Sequence, residues 1–112
     1  MLLLNAFSLN MLPAGVAGSV RVTPVGLDGA RQLAAAGLDS AVGHADTAAV
    51  FADLLGAPVP CARRTVTLAA GQPALVGQYI GPRLVEGATE LPEGARVEWV
   101  VVEWVPDGPA PA

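Results

Sequence analysis

The stretch Arg96-Val97-Glu98-Trp99-Val100-Val101-Val102-Glu103-Trp104-Val105 is the strongest indicator of the fold class of this chain. It consists mainly of valine and tryptophan, which are favoured in β-strands. Because it is apolar almost throughout, we expect a strand that is covered on both faces, or by helices on one face and by a partner subunit on the other. Glu98 and Glu103 are five residues apart, so their side chains should point to opposite faces.

Four shorter strands are predicted upstream of this one. Each is a run rich in leucine, isoleucine, valine or threonine, bounded by turn-forming or polar residues. The stretch Ala70-Gly71-Gln72-Pro73 has the composition of a hairpin connection and should join the third of these strands to the fourth. The four strands are predicted at Leu2–Leu4, residues 19–25, residues 65–69 and residues 75–80.

Two helices are predicted between the second and third of these strands. The first spans residues 27–36 and should stop at Gly37. The second begins at His44 or Ala45, has apolar residues at three- and four-residue spacing, and should end before Gly56. The order of elements predicts an α+β fold, a two-layer single domain with a mixed sheet of about five strands and its helices on one face. The domain covers residues 1–105, and residues 106–112, rich in proline and glycine, are expected to form a disordered tail.

Composition supports a single globular domain and excludes several functions. The chain has 112 residues, of which 53% are hydrophobic and 14% charged, so it is long enough for one core. A single cysteine, Cys61, excludes an internal disulfide, and with one histidine it makes a protein-built metal site unexpected. There is no phosphate-binding loop with its lysine and no dinucleotide-binding motif, so no cofactor is expected. No run has the length of a membrane span or of a signal peptide, and we expect a cytoplasmic protein.

The charges favour a small anionic ligand over a nucleic-acid polymer. The formal net charge is −4, and all six cationic side chains are arginines. An acidic surface repels long DNA or RNA, whose binding depends on many phosphate contacts. A small phosphorylated ligand needs only two or three arginines, since each guanidinium can hold a phosphate with two hydrogen bonds.

His44 is the first candidate for a chemical role. A single histidine in a small domain is most often structural or solvated, and that alternative stays open. Its position at the start of the second helix favours a functional role, because a helix N-terminus offers free amide donors and a partial positive charge to an anion. A bound phosphate would favour the protonated imidazole, which could then act as a proton donor.

Arg83 and Glu86 form the second candidate pair. They follow Gly81-Pro82, where the chain leaves a strand, and they are three residues apart. One interpretation is a phosphate-binding arginine with its carboxylate partner. An equally weighted interpretation is a surface ion pair that contributes about 0–1 kcal/mol to stability. The pair Arg63-Arg64 is compatible with a third cation for the site or with charges that flank a strand.

The amino-terminal segment contains the third group of candidates. Asn5, Ser8 and Asn10 alternate with apolar residues directly after the first strand. A buried polar group without a partner costs about 1–3 kcal/mol, so these side chains should bind either the local backbone or a ligand.

Taken together, these segments resemble one known family. The quoted motifs are residues 3–12, Val42-Gly43-His44 before Thr47, Gln78, and Arg83-Leu84-Val85-Glu86-Gly87. They resemble the small viral and bacterial family, first seen in archaeal viruses, of anti-CRISPR ring nucleases that destroy cyclic tetra-adenylate. The resemblance extends from residue 3 to about residue 105, and the amino-terminal motif is the most specific.

The resemblance implies a metal-independent enzyme that works as a homodimer and binds the cyclic tetranucleotide across its two-fold axis. It makes His44 the general acid and Arg83 and Glu86 the catalytic pair beside the scissile phosphate. It also implies that the ligand is bound by six further residues: Asn5, Ser8, Asn10, Gly43, Arg64 and Gln78. The expected products are linear di-adenylates that end in a 2′,3′-cyclic phosphate.

Two other classes of function remain possible at this stage. The same domain could sequester a cyclic nucleotide without cleaving it, as a phage or host regulator. It could also be a protein-interaction domain in which the polar residues are only structural. In neither case is a membrane or a long nucleic acid an expected partner.

Overall fold

A computed structural model describes residues 1–108 of the chain and shows one α+β domain, as predicted. It contains a five-stranded mixed sheet and two α-helices, with one short 3-10 turn at Leu9–Met11. The strands are β1 (Leu2–Leu4), β2 (Gly18–Pro24), β3 (Asp39–Ser40), β4 (Ala74–Ile80) and β5 (Arg96–Pro106), and the helices are α1 (Gly26–Ala35) and α2 (Ala45–Leu55).

The order of strands across the sheet is β2-β5-β4-β1-β3. The short strand β1 lies between β3 and β4 and is parallel to both. The long strand β5 is antiparallel to β4 on one side and to β2 on the other. Both edges of β5 are therefore paired within the domain, which makes it an interior strand of the sheet.

Both helices pack on one face of the sheet, as predicted. Ala30 of α1 and Phe51 of α2 are fully buried there against Leu3, Leu75 and Trp99. The rings of Phe51 and Trp99 are tilted by 57° with centroids 4.9 Å apart, a favourable edge-on arrangement. Because the side chains of a strand alternate between faces, the odd-numbered residues of β4 and β5 form this core.

The opposite face of the sheet is covered by irregular segments. Leu68 is buried there with Val76 and Trp104, and Phe7 and Met11 pack against the same cluster. β5 is thus covered on both faces within one chain, the first of the two arrangements expected for it. Its residues Trp99 and Val102 belong to the two different clusters.

The prediction of a strand at residues 65–69, joined to β4 by a hairpin, is wrong. The segment from residue 60 to residue 69 has no strand partner. It lies against the sheet instead, where the Leu68 amide donates to the Met11 carbonyl at 2.7 Å. Val66 and Leu68 alternate with two exposed threonines, so the segment has one side that packs on the sheet. Such alternation specifies which side chains are buried, but it does not specify a neighbouring strand for the backbone.

The remaining boundaries agree with the sequence to within a residue or two, apart from β3, which was not predicted. Gly56 ends α2 in the left-handed conformation, with its amide bonded to the Ala52 carbonyl. β5 continues to Pro106, and the Asp107 amide donates to the Ala17 carbonyl at 3.0 Å. The rest of the expected tail, residues 109–112, lies outside the described residues. Within residues 1–108, no helix is long and apolar enough to cross a membrane.

Candidate functional site

An open groove of about 860 Å³ lies between the start of α2 and the connection that follows β4. We call it the His44 groove. It brings His44 together with Arg83 and Glu86, which lie far from His44 in the sequence but close to each other. Its lining residues are His44, Asp46, Thr47, Tyr79, Gly81, Arg83, Leu84 and Glu86.

The backbone before α2 determines where His44 lies. The buried Ser40 donates its hydroxyl proton to the Pro60 carbonyl at 2.7 Å and accepts the Val42 amide at 3.2 Å. The Ala62 amide donates to the Val42 carbonyl at 2.8 Å, so residues 60–62 support the segment that leads into the helix. His44 is the N-cap residue of α2, with extended backbone, and its exposed imidazole makes no capping hydrogen bond. The imidazole is thus left available to a ligand.

The helix start also supplies an electrostatic bias toward anions. α2 has eleven residues, and its first hydrogen bond runs from the Ala48 amide to the His44 carbonyl at 2.9 Å. The amides that precede Ala48 in the helix lack partners on the preceding turn, and they carry the partial positive charge of a helix N-terminus. A phosphate beside His44 would be favoured by this charge.

The connection after β4 brings Arg83 and Glu86 to the same groove. At its start, the Tyr79 hydroxyl donates to the Pro82 carbonyl. Further along, the Gly87 amide donates to the Asp46 carboxylate at 3.0 Å, and this bond joins the connection to the first turn of α2. Arg83 and Glu86 are both exposed, so their charged groups can reach a ligand in the groove.

Two more of the predicted residues line an adjoining pocket. Asn5 and Gln78 border a depression of about 490 Å³ on the side of the sheet opposite the helices, together with Phe7 and several valines. This pocket shares Thr47 and Tyr79 with the His44 groove, so the two depressions are neighbours. Five of the nine predicted site residues therefore line one continuous concave region, namely His44, Arg83, Glu86, Asn5 and Gln78.

The other four predicted residues lie outside the lining of both depressions. Ser8 and Asn10 are exposed at the 3-10 turn, where Ser8 is the N-cap residue without a side-chain hydrogen bond. Arg64 forms an ion pair with Asp39 of β3 at 2.7 Å. Gly43 precedes His44, and its carbonyl is 3.5 Å from a guanidinium nitrogen of Arg63. Arg63, rather than Arg64, is thus the arginine that contacts the segment leading into α2.

Within residues 1–108, no group of three histidine, cysteine or carboxylate side chains is arranged to hold a metal ion. Cys61 is exposed and unpaired in this part of the chain. The polar side chains that line the groove are one imidazole, one guanidinium, one phenol, one aliphatic hydroxyl and two carboxylates.

Comparison with known proteins identifies the family of the chain. The model of the family described as STIV B116-like matches residues 1–96. The chain belongs to the STIV B116-like family. Among solved structures, B116 of Sulfolobus turreted icosahedral virus matches it with a TM-score of 0.73 and 25% sequence identity, over 91% of this chain and 97% of that one. No curated protein matches the chain.

Membership of the B116-like family accords with the archaeal-virus type of domain that the sequence motifs indicate. The matched region contains His44, Arg83 and Glu86, and it ends at the start of β5. Three polar residues that line the groove, Asp46, Thr47 and Tyr79, were not predicted as site residues. Asp46 and Tyr79 carry weak signals in the sequence, since an acid in a first helical turn and a single tyrosine before Gly81-Pro82 are common features with many explanations.

Proposed function

We propose that the chain is a metal-independent ring nuclease that cleaves cyclic tetra-adenylate into linear di-adenylates. The single observation that supports this most strongly is the meeting of His44, Arg83 and Glu86 in one open groove. These are the residue types that RNA transesterification requires: a proton donor, a cation beside the phosphate, and a group that orients one of them.

The ring carries its own nucleophile in this reaction. A ribose 2′-hydroxyl attacks the adjacent phosphorus and loses its proton, while the bond from phosphorus to the 5′-oxygen of the next nucleotide breaks. The departing 5′-oxygen takes up a proton while the proton of the 2′-hydroxyl passes to water, so each cleavage leaves a 2′,3′-cyclic phosphate and a free 5′-hydroxyl. Two cleavages at opposite phosphates of the ring give two di-adenylates. The protein contributes position, charge stabilisation and the proton, because attack must occur in line with the leaving oxygen.

His44 is proposed as the general acid that protonates the departing 5′-oxygen. Its imidazole is exposed to the groove and has no capping role in α2. The helix start beside it attracts the scissile phosphate, and the phosphate charge in turn favours the imidazolium form. The proton donor would then be charged when substrate is bound.

Arg83 is proposed to stabilise the negative charge that accumulates on the phosphate oxygens during attack. The guanidinium can donate two parallel hydrogen bonds to those oxygens. Glu86 lies in the same groove and would orient Arg83 or a ribose hydroxyl. Arg64, held by Asp39 in the single chain, is a candidate for a further ligand contact and not for the reacting centre.

A homodimer completes the proposal. The groove of one chain contains the single guanidinium of Arg83 beside the carboxylates of Asp46 and Glu86, so one copy has only one guanidinium for a ring of four phosphates. Two copies related by a two-fold axis would present two His44 grooves to symmetry-related phosphates. The adjoining pocket, with the amides of Asn5 and Gln78, would receive part of the ring beyond the scissile phosphate.

The decisive experiment is incubation of the purified chain with cyclic tetra-adenylate, followed by chromatographic separation of the products. We expect linear di-adenylate with a 2′,3′-cyclic phosphate end, formed at the same rate with and without EDTA. A rate that EDTA abolishes and Mg²⁺ restores would contradict the metal-independent mechanism.

The same material separates the alternatives. Recovery of intact ring that is bound tightly in calorimetry would show a sequestering protein instead of an enzyme. Absence of any heat of binding, in a chain with a normal unfolding transition, would favour a protein-interaction domain.

A further inference from the structure

The connection between β4 and β5, residues 81–95, carries Arg83 and Glu86 but contains no helix or strand. Two hydrogen bonds within it form local turns, from the Ala88 amide to the Val85 carbonyl and from the Ala95 amide to the Pro92 carbonyl, both at 3.1 Å. Bonds of this kind shape the connection but do not tie it to the rest of the domain. The Tyr79 hydroxyl ties the start of the connection to β4 through the Pro82 carbonyl, but the link from the connection to the helix that begins at His44 depends on another contact.

That contact is made by Asp46. Its carboxylate accepts the Gly87 amide at 3.0 Å, one residue after Glu86 and across 41 residues of sequence. In the described part of the chain, no other hydrogen bond joins residues 81–95 to either helix. Asp46 is two residues after His44 in the first turn of α2. One side chain thus links the segment that carries the proton donor to the segment that carries the arginine.

The backbone of Gly87 is shaped for this bond. Its φ of 82° lies in the left-handed region, which glycine adopts without the steric cost that other residues incur. A β-carbon at this position would meet open space, so the glycine is not required by crowding. The turn at Gly87 directs its amide toward Asp46, and a hydrogen bond to a carboxylate is stronger than one to a neutral acceptor.

We propose that Asp46 is a positioning residue that fixes the 81–95 connection and so holds Arg83 and Glu86 across the groove from His44. The expected effect on catalysis rests on the proposed function, but the expected effect on the 81–95 connection does not. Asp46 acts through the Gly87 amide and touches no reacting atom. Displacement of a catalytic group by about 1 Å can cost a factor of roughly 100 in rate, so loss of the tether should be visible in turnover.

The test compares three variants of the full chain. Asp46→Ala removes the acceptor, Asp46→Asn retains an oxygen that can accept the same bond, and Asp53→Ala removes an exposed carboxylate from the same helix as a matched control. The first measurement is hydrogen exchange of the Gly87 amide by NMR. We expect exchange roughly tenfold faster in Asp46→Ala and little changed in Asp46→Asn and Asp53→Ala.

The second measurement is cleavage of cyclic tetra-adenylate. We expect kcat to fall by a factor of roughly 10 to 100 in Asp46→Ala, with a smaller change in KM, and to stay within about threefold of the wild type in Asp46→Asn. Equal losses in the alanine and asparagine variants would give the carboxylate a direct chemical role and overturn the proposal.

The two measurements also separate this inference from the proposed function. If the wild-type chain cleaves no cyclic tetra-adenylate, the proposed function fails, while Gly87 exchange still decides whether Asp46 holds the connection. Equal exchange rates of the Gly87 amide in the wild type and in Asp46→Ala would overturn the tether, whatever the rate of cleavage. A thermal unfolding curve of Asp46→Ala close to that of Asp53→Ala shows that any loss of turnover is not a loss of fold.

Discussion

The two ends of α2 have opposite surroundings. In the C-terminal half, Phe51 and Leu55 are buried against the sheet, and Phe51 contacts the ring of Trp99. At the N-terminal end, His44 is exposed, and Asp46 is only partly buried at the edge of an open groove. One helix thus supplies the core at one end and the candidate site at the other.

This contrast implies that stability and activity should be separable in this protein. Removal of a side chain from the groove leaves no cavity, because the groove is already open to solvent. Removal of a side chain from the buried half leaves a void that the surrounding core fills only in part. Substitutions in the groove should therefore lower activity, and substitutions in the buried core should lower stability. Four predictions test this difference.

The strongest effect should be on turnover, at the N-terminal end. His44→Ala should lower the rate of cyclic tetra-adenylate cleavage by a factor of roughly 10² to 10⁴, the range for loss of a general acid. Nucleotide binding and the melting temperature should stay close to those of the wild type. Rapid-quench kinetics and calorimetry on the same preparation check both. Full turnover, or a variant that does not fold, would remove His44 from the mechanism.

The next strongest effect is on folding, at the C-terminal end. Phe51→Ala should lower the free energy of unfolding by about 3–5 kcal/mol, since the side chain is fully buried. Asp53→Ala, exposed on the same helix, should change it by less than about 0.5 kcal/mol. Urea denaturation measures both values. Similar losses in the two variants would show that the contrast between the buried and exposed positions of α2 is wrong.

A more modest effect on folding is expected at Gly77, beneath the same half of α2. A β-carbon there would lie 2.6 Å from the Trp99 ring and 2.7 Å from the Phe51 ring, closer than packed carbons approach. Gly77→Ala should therefore cost about 1–3 kcal/mol through overpacking. Urea denaturation of Gly77→Ala in wild-type and Phe51→Leu backgrounds tests the cause. If the shorter leucine does not reduce the cost, the crowding comes from Trp99 and not from Phe51.

The weakest of the four effects compares two exposed arginines. Arg83→Ala should weaken binding of cyclic tetra-adenylate roughly tenfold, because it removes the guanidinium from the groove. Arg21→Ala removes the same charge from an exposed position of β2 that lines neither depression, and should change affinity less than about twofold. Titration calorimetry at fixed ionic strength compares them. Equal weakening would mean that affinity depends on net charge and not on the groove.

Local sequence was a good guide to the elements with a strong intrinsic pattern. The valine and tryptophan run at residues 96–105 predicted the long strand β5, and the apolar spacing that ends at Gly56 predicted α2. Both patterns depend only on the types and spacing of residues that are close together in the sequence. The two-residue strand β3 was missed because it is too short to carry any pattern.

The segment at residues 65–69 shows where local pattern fails. Leu68 is buried and Val66 is partly buried, but their side chains cover the sheet and the backbone does not join it. Whether an extended segment finds a strand partner depends on which edges are free after the rest of the chain has folded. Here β4 is already paired with β1 and β5.

The amino-acid sequence alone specifies the chemistry available to this protein: one histidine, arginine as the sole cationic residue type, and an excess of acidic side chains. Side-chain type at each position is local information, and so is the start of α2 that places His44 at a helix N-terminus. Which of these groups meet depends instead on the folded chain. The bond between Asp46 and Gly87 and the different partners of Arg63 and Arg64 are contacts between residues distant in sequence, and no local pattern encodes such contacts.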